Sequence, residues 1–197
     1  LYHYQYLPAE ELKALNKSEH YARLNSDTYA AVKSYELRKR AYLFMNMPDS
    51  VLSITKNSRK AYLEMGLKQD AAAILGPAID ILIDSGKFTE AEELMAIFEK
   101  ESGYFDDMDN IDEKHLLFFY RKGYIALNHN NTDSARYCFT RLLECEKEAA
   151  YKGFLSLYEK VGNPDSITKY AKLYVAENYS SSLGNNAQTA EQMTAMY

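Results

Sequence analysis

Four histidines, two cysteines and a cluster of aspartates are the residues of this chain whose types could support chemistry. His3, His20, His115 and His129 are scattered, and none stands at ligand spacing from a cysteine or a carboxylate. Asp106, Asp107, Asp109 and Asp112 invite a calcium reading. They lack the loop glycine and the closing glutamate that an EF-hand needs, so solvated charge is the better account. Cys138 and Cys145 lie seven residues apart on one predicted helix, roughly 10 Å along its axis, too far to pair with each other. They read as buried free thiols that pack as small hydrophobes. No G-x-x-x-x-G-K-[ST], G-x-G-x-x-G, H-E-x-x-H or G-x-S-x-G pattern occurs. No catalytic residue, metal ligand or cofactor is expected, which leaves recognition as the chemistry to look for.

The elements that would position such a surface are helices. Of 197 residues, 47% are hydrophobic and 26% charged, the balance of an ordinary soluble chain with ample material for a core. Four prolines and eight glycines fall mostly between periodic segments, which favours long helices over sheet. A net charge of −5 argues against a nucleic-acid-binding surface. No apolar run reaches membrane-spanning length. Tyrosine is abundant, at 18 residues with no tryptophan, and suits helix–helix seams with its hydroxyl at the edge.

Pro8 is placed to open a helix, with Glu10 and Glu11 in its first turn facing the positive end of the dipole. A second helix over Thr28 to Met45 is stopped by Asn46-Met47-Pro48. Asp49-Ser50-Val51 then starts another, and the phrase returns as Asp133-Ser134-Ala135 and Asp165-Ser166-Ile167. Thr89-Glu90-Ala91 takes the same part, with Thr89 and Glu92 as a capping box. The aligned Val51, Ala91, Ala135 and Ile167 are 40, 44 and 32 residues apart. Gly66 and Gly86 read as helix ends, and Pro77 should kink the apolar helix between them. Ser180 to Asn186 has the composition of a linker. The domain reading is therefore a helical array over 1–179, with 180–197 as linker and the start of a further helix.

Residues His115 to Ala149 are predicted to be two helices folded over the turn His129-Asn130-Asn131-Thr132, with Asp133 as N-cap of the second. This stretch resembles a tetratricopeptide repeat, whose W-x2-L-G-x2-Y…A-x3-F…P pattern interlocks large and small positions. Phe119 stands in the aromatic place, Gly123 in the glycine place, and Ala135 and Phe139 in the A-x3-F place. Lys122, Ala126 and Lys147 depart from the pattern at the Leu, Tyr and Pro places. The resemblance implies an all-α, right-handed α-α superhelix, a solenoid of about four helix hairpins after an N-terminal helix. The tail after Gln188 resembles bacterial proteins of this class whose solenoid leads into a coiled coil and a membrane span. Together with a start at Leu1, it makes a fragment of a longer bacterial chain the expectation, and leaves cytoplasm and periplasm both open.

The resemblance also places a binding surface in a concave groove lined by the first helix of each pair. The positions that match are Lys33, Glu36 and Arg40, then Asp80 and Asp84, then Tyr120, Tyr124 and Asn128, then Lys152 and Ser156. Tyr120, Tyr124 and Asn128 fall at i, i+4 and i+8, one stripe of a helix. Aromatic and amide side chains on a rigid face suit an extended or helical peptide. Some members of the family clamp a terminal carboxylate at the places of Glu36 and Arg40, where Glu36 has the wrong sign. The expected role is a non-catalytic protein- or peptide-binding scaffold, the sensor or interaction module of a larger signalling protein. The rivals are the effector-binding part of a transcriptional regulator and an enzyme with its site in the groove. Self-association through Tyr2, Tyr4 and Tyr6 is a third possibility.

Overall fold

The structure is a computed structural model that describes residues 7–105, 111 and 115–195, with side chains as far as Tyr179. It is all-helical. The tyrosine tip, His3 and the aspartates Asp106, Asp107, Asp109 and Asp112 lie outside the described residues. Where the sequence reading places one array over 1–179, the chain divides into two compact units, Leu1–Asn110 and Ile111–Tyr197.

The first unit holds α1 (Pro8–Leu24), α2 (Thr28–Phe44), α3 (Pro48–Glu64), α4 (Lys68–Ala73), α5 (Gly76–Asp84) and α6 (Phe88–Glu101). Helices begin at residues 8, 28, 48, 68 and 88, a step of 20 that the repeated capping phrase shows only at every second helix. Each turn is built alike. Ser26, Asn46, Gly66 and Gly86 take left-handed φ of 57°, 53°, 77° and 73°. The next residue's amide then reaches back to a carbonyl five residues earlier: Asp27 to Ala22, Met47 to Tyr42, Leu67 to Tyr62 and Lys87 to Leu82. This is the closing bond of a Schellman turn, and it satisfies helix-end carbonyls. Five residues after each left-handed position comes a buried small side chain, Ala31, Val51, Ala71 or Ala91, each at most 2% exposed. One step of sequence thus repeats one turn and one close helix contact.

Gly66 occupies its place for conformation alone, because an added Cβ would meet nothing within 4 Å. Gly66→Ala should cost about 1 kcal/mol, the left-handed penalty of an L-residue, while Asn46→Gly should be neutral or slightly stabilising. Urea unfolding followed by circular dichroism reads both; equal effects of the two changes would contradict this account of the turn.

Pro77 divides α4 from α5, as its missing amide requires. The capping expectations need correction. α6 begins at Phe88 with Lys87 as N-cap and no side-chain cap, so Thr89 is already inside the helix. The side chains that do cap are Asp27, which accepts from the Ala30 amide at 2.9 Å, Asn131 from Ser134 at 3.1 Å and Asn163 from Ser166 at 3.0 Å. Asp133 and Asp165 sit in the first turn, where they complement the dipole rather than cap the helix.

The second unit holds α7 (Leu117–Asn128), α8 (Thr132–Arg141), α9 (Lys147–Val161) and α10 (Pro164–Ala195). α8 packs on α7 and α9, α7 also reaches α9, and α10 packs on α9. α10 runs without a break through Ser180–Asn186, where the composition suggests a linker. Serine, asparagine and one glycine are weak helix formers but do not forbid a helix, and no proline lies in the stretch. Phe139 is the centre of this unit, fully buried, and its ring lies against both Gly123 of α7 and Gly153 of α9. A Cβ on either glycine would come within 2.3 Å of the ring. The two helices therefore close over the phenyl because both lack side chains there. Cys138 is buried in α8 as expected, whereas Cys145 is exposed where the chain turns after that helix; both are free.

Candidate functional site

The two glycines that clasp Phe139 also set the neighbouring residues face to face. Tyr124 follows Gly123 on α7, and Lys152 precedes Gly153 on α9. The Tyr124 hydroxyl lies 3.0 Å from Ser156 Oγ and 3.4 Å from the Lys152 carbonyl, so it can accept from the serine and donate to the backbone. Its ring meets Phe139 edge-on at 5.6 Å between centroids, and burial pushes the phenol's pKa up despite the Ser156 hydrogen bond. One turn earlier, Tyr120 lies 4.7 Å from Tyr124 between ring centroids, and the Lys152 ammonium stands 5.7 Å from the Tyr120 ring. That is cation–π range. Lys160, two turns along α9 from Lys152, donates to the Leu127 carbonyl. Asn128 is exposed at the last position of α7.

Tyr120, Tyr124, Lys152 and Ser156 are thus four of the ten groove residues, brought together on the α7–α9 seam. What they offer is a pair of aromatic rings, a cation over one of them, and the Tyr124 and Ser156 hydroxyls. Ser156 is hydrogen-bonded to a phenol rather than to an imidazole or a carboxylate, an arrangement that does not activate a nucleophile. Tyr124 is itself part of the packing, Tyr120 beside it is also half-buried, and Asn128 is the exposed end of the stripe.

In the first unit, Lys33, Glu36 and Arg40 of α2 line a cleft of about 470 Å³ with Lys39, Asp70, Ile74 and Pro77 among its walls. Glu36 does not lie on an open groove face as the resemblance suggested: it is 7% exposed. Its Oε2 accepts from Lys33 at 2.7 Å and its Oε1 from Lys39 at 2.9 Å, while the buried Tyr62 hydroxyl donates to Oε2 at 3.4 Å. Lys39 also donates to the Ile74 carbonyl at 3.2 Å. Burial works to raise the Glu36 pKa, but the hydrogen bond from Lys33 and the charge of Lys39 hold it below the usual range. Burial pulls the Lys39 ammonium down in spite of Glu36. Arg40 is paired with Glu11 of α1. Asp80 is half-buried on α5, and Asp84 is exposed at that helix's end; neither lines the cleft. Lys39, Tyr62 and Asp70 are the members of this site that sequence reasoning missed. The i, i+3 spacing of Glu36 and Lys39 was visible, but it reads equally well as a solvated ion pair.

A larger and more apolar cleft, about 740 Å³, opens beside α7 and α8 with Phe119, Ile125, Tyr137 and Cys138 in its walls. Burial pushes the Cys138 thiol up to about 11, against the pull of Lys122, so it stays protonated at neutral pH. Among the described residues no group of three or more His, Cys, Asp or Glu is placed to hold a metal ion, and no helix is long and apolar enough to cross a membrane. No protein-family model matches the chain, and no curated protein matches it.

Proposed function

We propose that the chain is a non-catalytic helical-repeat module of the tetratricopeptide kind, a right-handed solenoid that holds a peptide against the α7–α9 seam. The repeat reading is supported by the buried Ala135 and by Phe139, whose buried ring fills the space that Gly123 and Gly153 leave. The first unit fits the wider class of helix-pair repeats. Its 20-residue step makes hairpins of 40 residues, longer than the ~34 of the tetratricopeptide pattern.

The peptide reading rests on one observation: Tyr120, Tyr124, Lys152 and Ser156 converge on a seam whose backbone is fixed by Phe139. Tyrosine supplies large contact area at low entropic cost, and a lysine beside it can meet an acidic or carbonyl group of the partner. The backbone of the seam is closely packed over Phe139, an arrangement in which little ordering cost would be added on binding.

Panning a displayed peptide library against the chain tests this reading. Tyr120→Ala should weaken the selected peptides by roughly tenfold, about 1.4 kcal/mol, with the chain still folded by circular dichroism at the temperature of the binding assay. Selection of no peptide, or equal affinity for the variant, would sink the proposal. Tyr124→Ala is the wrong probe, because losing its ring and hydroxyl would disturb the seam itself.

A further inference from the structure

The cleft of the first unit carries an inference of its own, independent of the α7–α9 seam. Burying a lysine is costly, and the usual compensation is complete hydrogen bonding. The Lys39 side chain is only 8% exposed, yet two of its three N–H donors are accounted for, by Glu36 and by the Ile74 carbonyl. The third belongs to a group that lines the cleft. Lys33, also in the wall, spends one donor on Glu36 and is 44% exposed. Across the same cleft stands Asp70, half-buried in the first turn of α4, a carboxylate for which no ion pair is seen among the described residues. Leu43, Ile74 and Pro77 supply an apolar wall.

Charge decides the class of occupant. Lys33 and Lys39 share Glu36, with Asp70 as the second carboxylate, and Arg40 is paired with Glu11, so the cleft is neutral as a whole, and among the described residues Asp70 is its carboxylate outside an ion pair. A simple anion or cation would leave it with net charge in a half-buried place. A molecule carrying both signs would not. The volume lies within the ~300–1,000 Å³ range of small-molecule sites.

We propose that this cleft binds a small zwitterion with an apolar side chain, of the free α-amino acid or short-peptide type. Its carboxylate takes the remaining donor of Lys39 together with Lys33, its ammonium faces Asp70, and its side chain lies on Leu43, Ile74 and Pro77. The cost of keeping Lys39 and Glu36 buried is then matched by a function for the donor that the fold leaves over.

Isothermal titration of the full chain at low salt, with leucine, phenylalanine and leucyl-leucine as the probes, tests the proposal. The controls are 4-methylpentanoate, which lacks the ammonium, and 3-methylbutylamine, which lacks the carboxylate. At least one zwitterion should bind at least about tenfold more tightly than either control. A preference between leucine and leucyl-leucine separates the free amino acid from the peptide. Asp70→Asn, a change at a half-buried site, should remove that advantage while the circular dichroism spectrum stays the same, and Lys33→Gln should weaken the zwitterion and 4-methylpentanoate alike. The proposal is overturned if no probe binds, if a control binds as well as the zwitterions, or if Asp70→Asn leaves the affinities as they were.

Discussion

Phe139→Ala should destabilise the Ile111–Tyr197 unit by about 3–5 kcal/mol, the upper range for loss of a buried aromatic. The ring is fully buried, and its walls are Gly123, Gly153 and the rings of Tyr124 and Phe154, at 5.6 and 6.0 Å between centroids. A glycine has no side chain to swing into the space left behind. The cavity can therefore close only if α7 and α9 move together as whole helices. The reverse change tests the same contact from the other side. Gly153→Ala places a Cβ within 2.3 Å of the ring, which must then leave its position, at a cost of about 1–3 kcal/mol. Combining Gly153→Ala with Phe139→Leu should cost clearly less than the sum of the two, because the smaller side chain makes room for the methyl. Urea unfolding of the full chain, followed by tyrosine fluorescence and circular dichroism together, measures the four variants Phe139→Ala, Gly153→Ala, Phe139→Leu and the double change. A cost below 1 kcal/mol for Phe139→Ala, or strict additivity in the pair, would mean that the glycines do not hold the ring. The same loss would separate Tyr124 from Ser156, so Phe139→Ala should also abolish peptide capture on the seam.

What the sequence made legible follows from how local each signal is. Gly66 and Gly86 could be recognised as helix ends, since left-handed turns favour glycine over other residues. Ser26 and Asn46 do the same work with less distinctive side chains, which hides the 20-residue step that joins all four. The capping phrase misled by two residues. Asp133 and Asp165 have the side chains of a cap, but Asn131 and Asn163 accept the free amides, and the aspartates stand inside the helices that follow. The Tyr120-Tyr124 stripe was visible as i, i+4 spacing. Its meeting with Lys152 and Ser156 needed α9 to be laid on α7, which two distant glycines decide. Glu36 and Lys39 were the hardest to read. A charged pair one turn apart has the same pattern whether it faces water or, as here, lies beneath Tyr62 and Ile74.

That buried pair gives the second large effect. Glu36→Ala should cost about 3–5 kcal/mol, because it leaves the Lys39 ammonium buried without its counter-charge. Lys39→Met should cost less, since Glu36 keeps Lys33 and the Tyr62 hydroxyl. The double change Glu36→Leu with Lys39→Met removes both charges and should recover most of the loss, since a well-packed apolar pair often equals a buried ion pair. Acid should act through the same carboxyl. The Glu36 pKa in the folded chain lies below its ordinary 4.5, so its contribution is complete above that value and is lost as pH falls through the folded value. Glu36→Gln has no carboxyl to protonate at this position. Its urea midpoint, measured from pH 7 down to about 3, should therefore fall less steeply below pH 4.5 than that of the parent chain. Parallel acid limbs would show that the Glu36 carboxylate contributes nothing to folding, and a double variant no more stable than Glu36→Ala would show that the loss does not come from an unpaired Lys39.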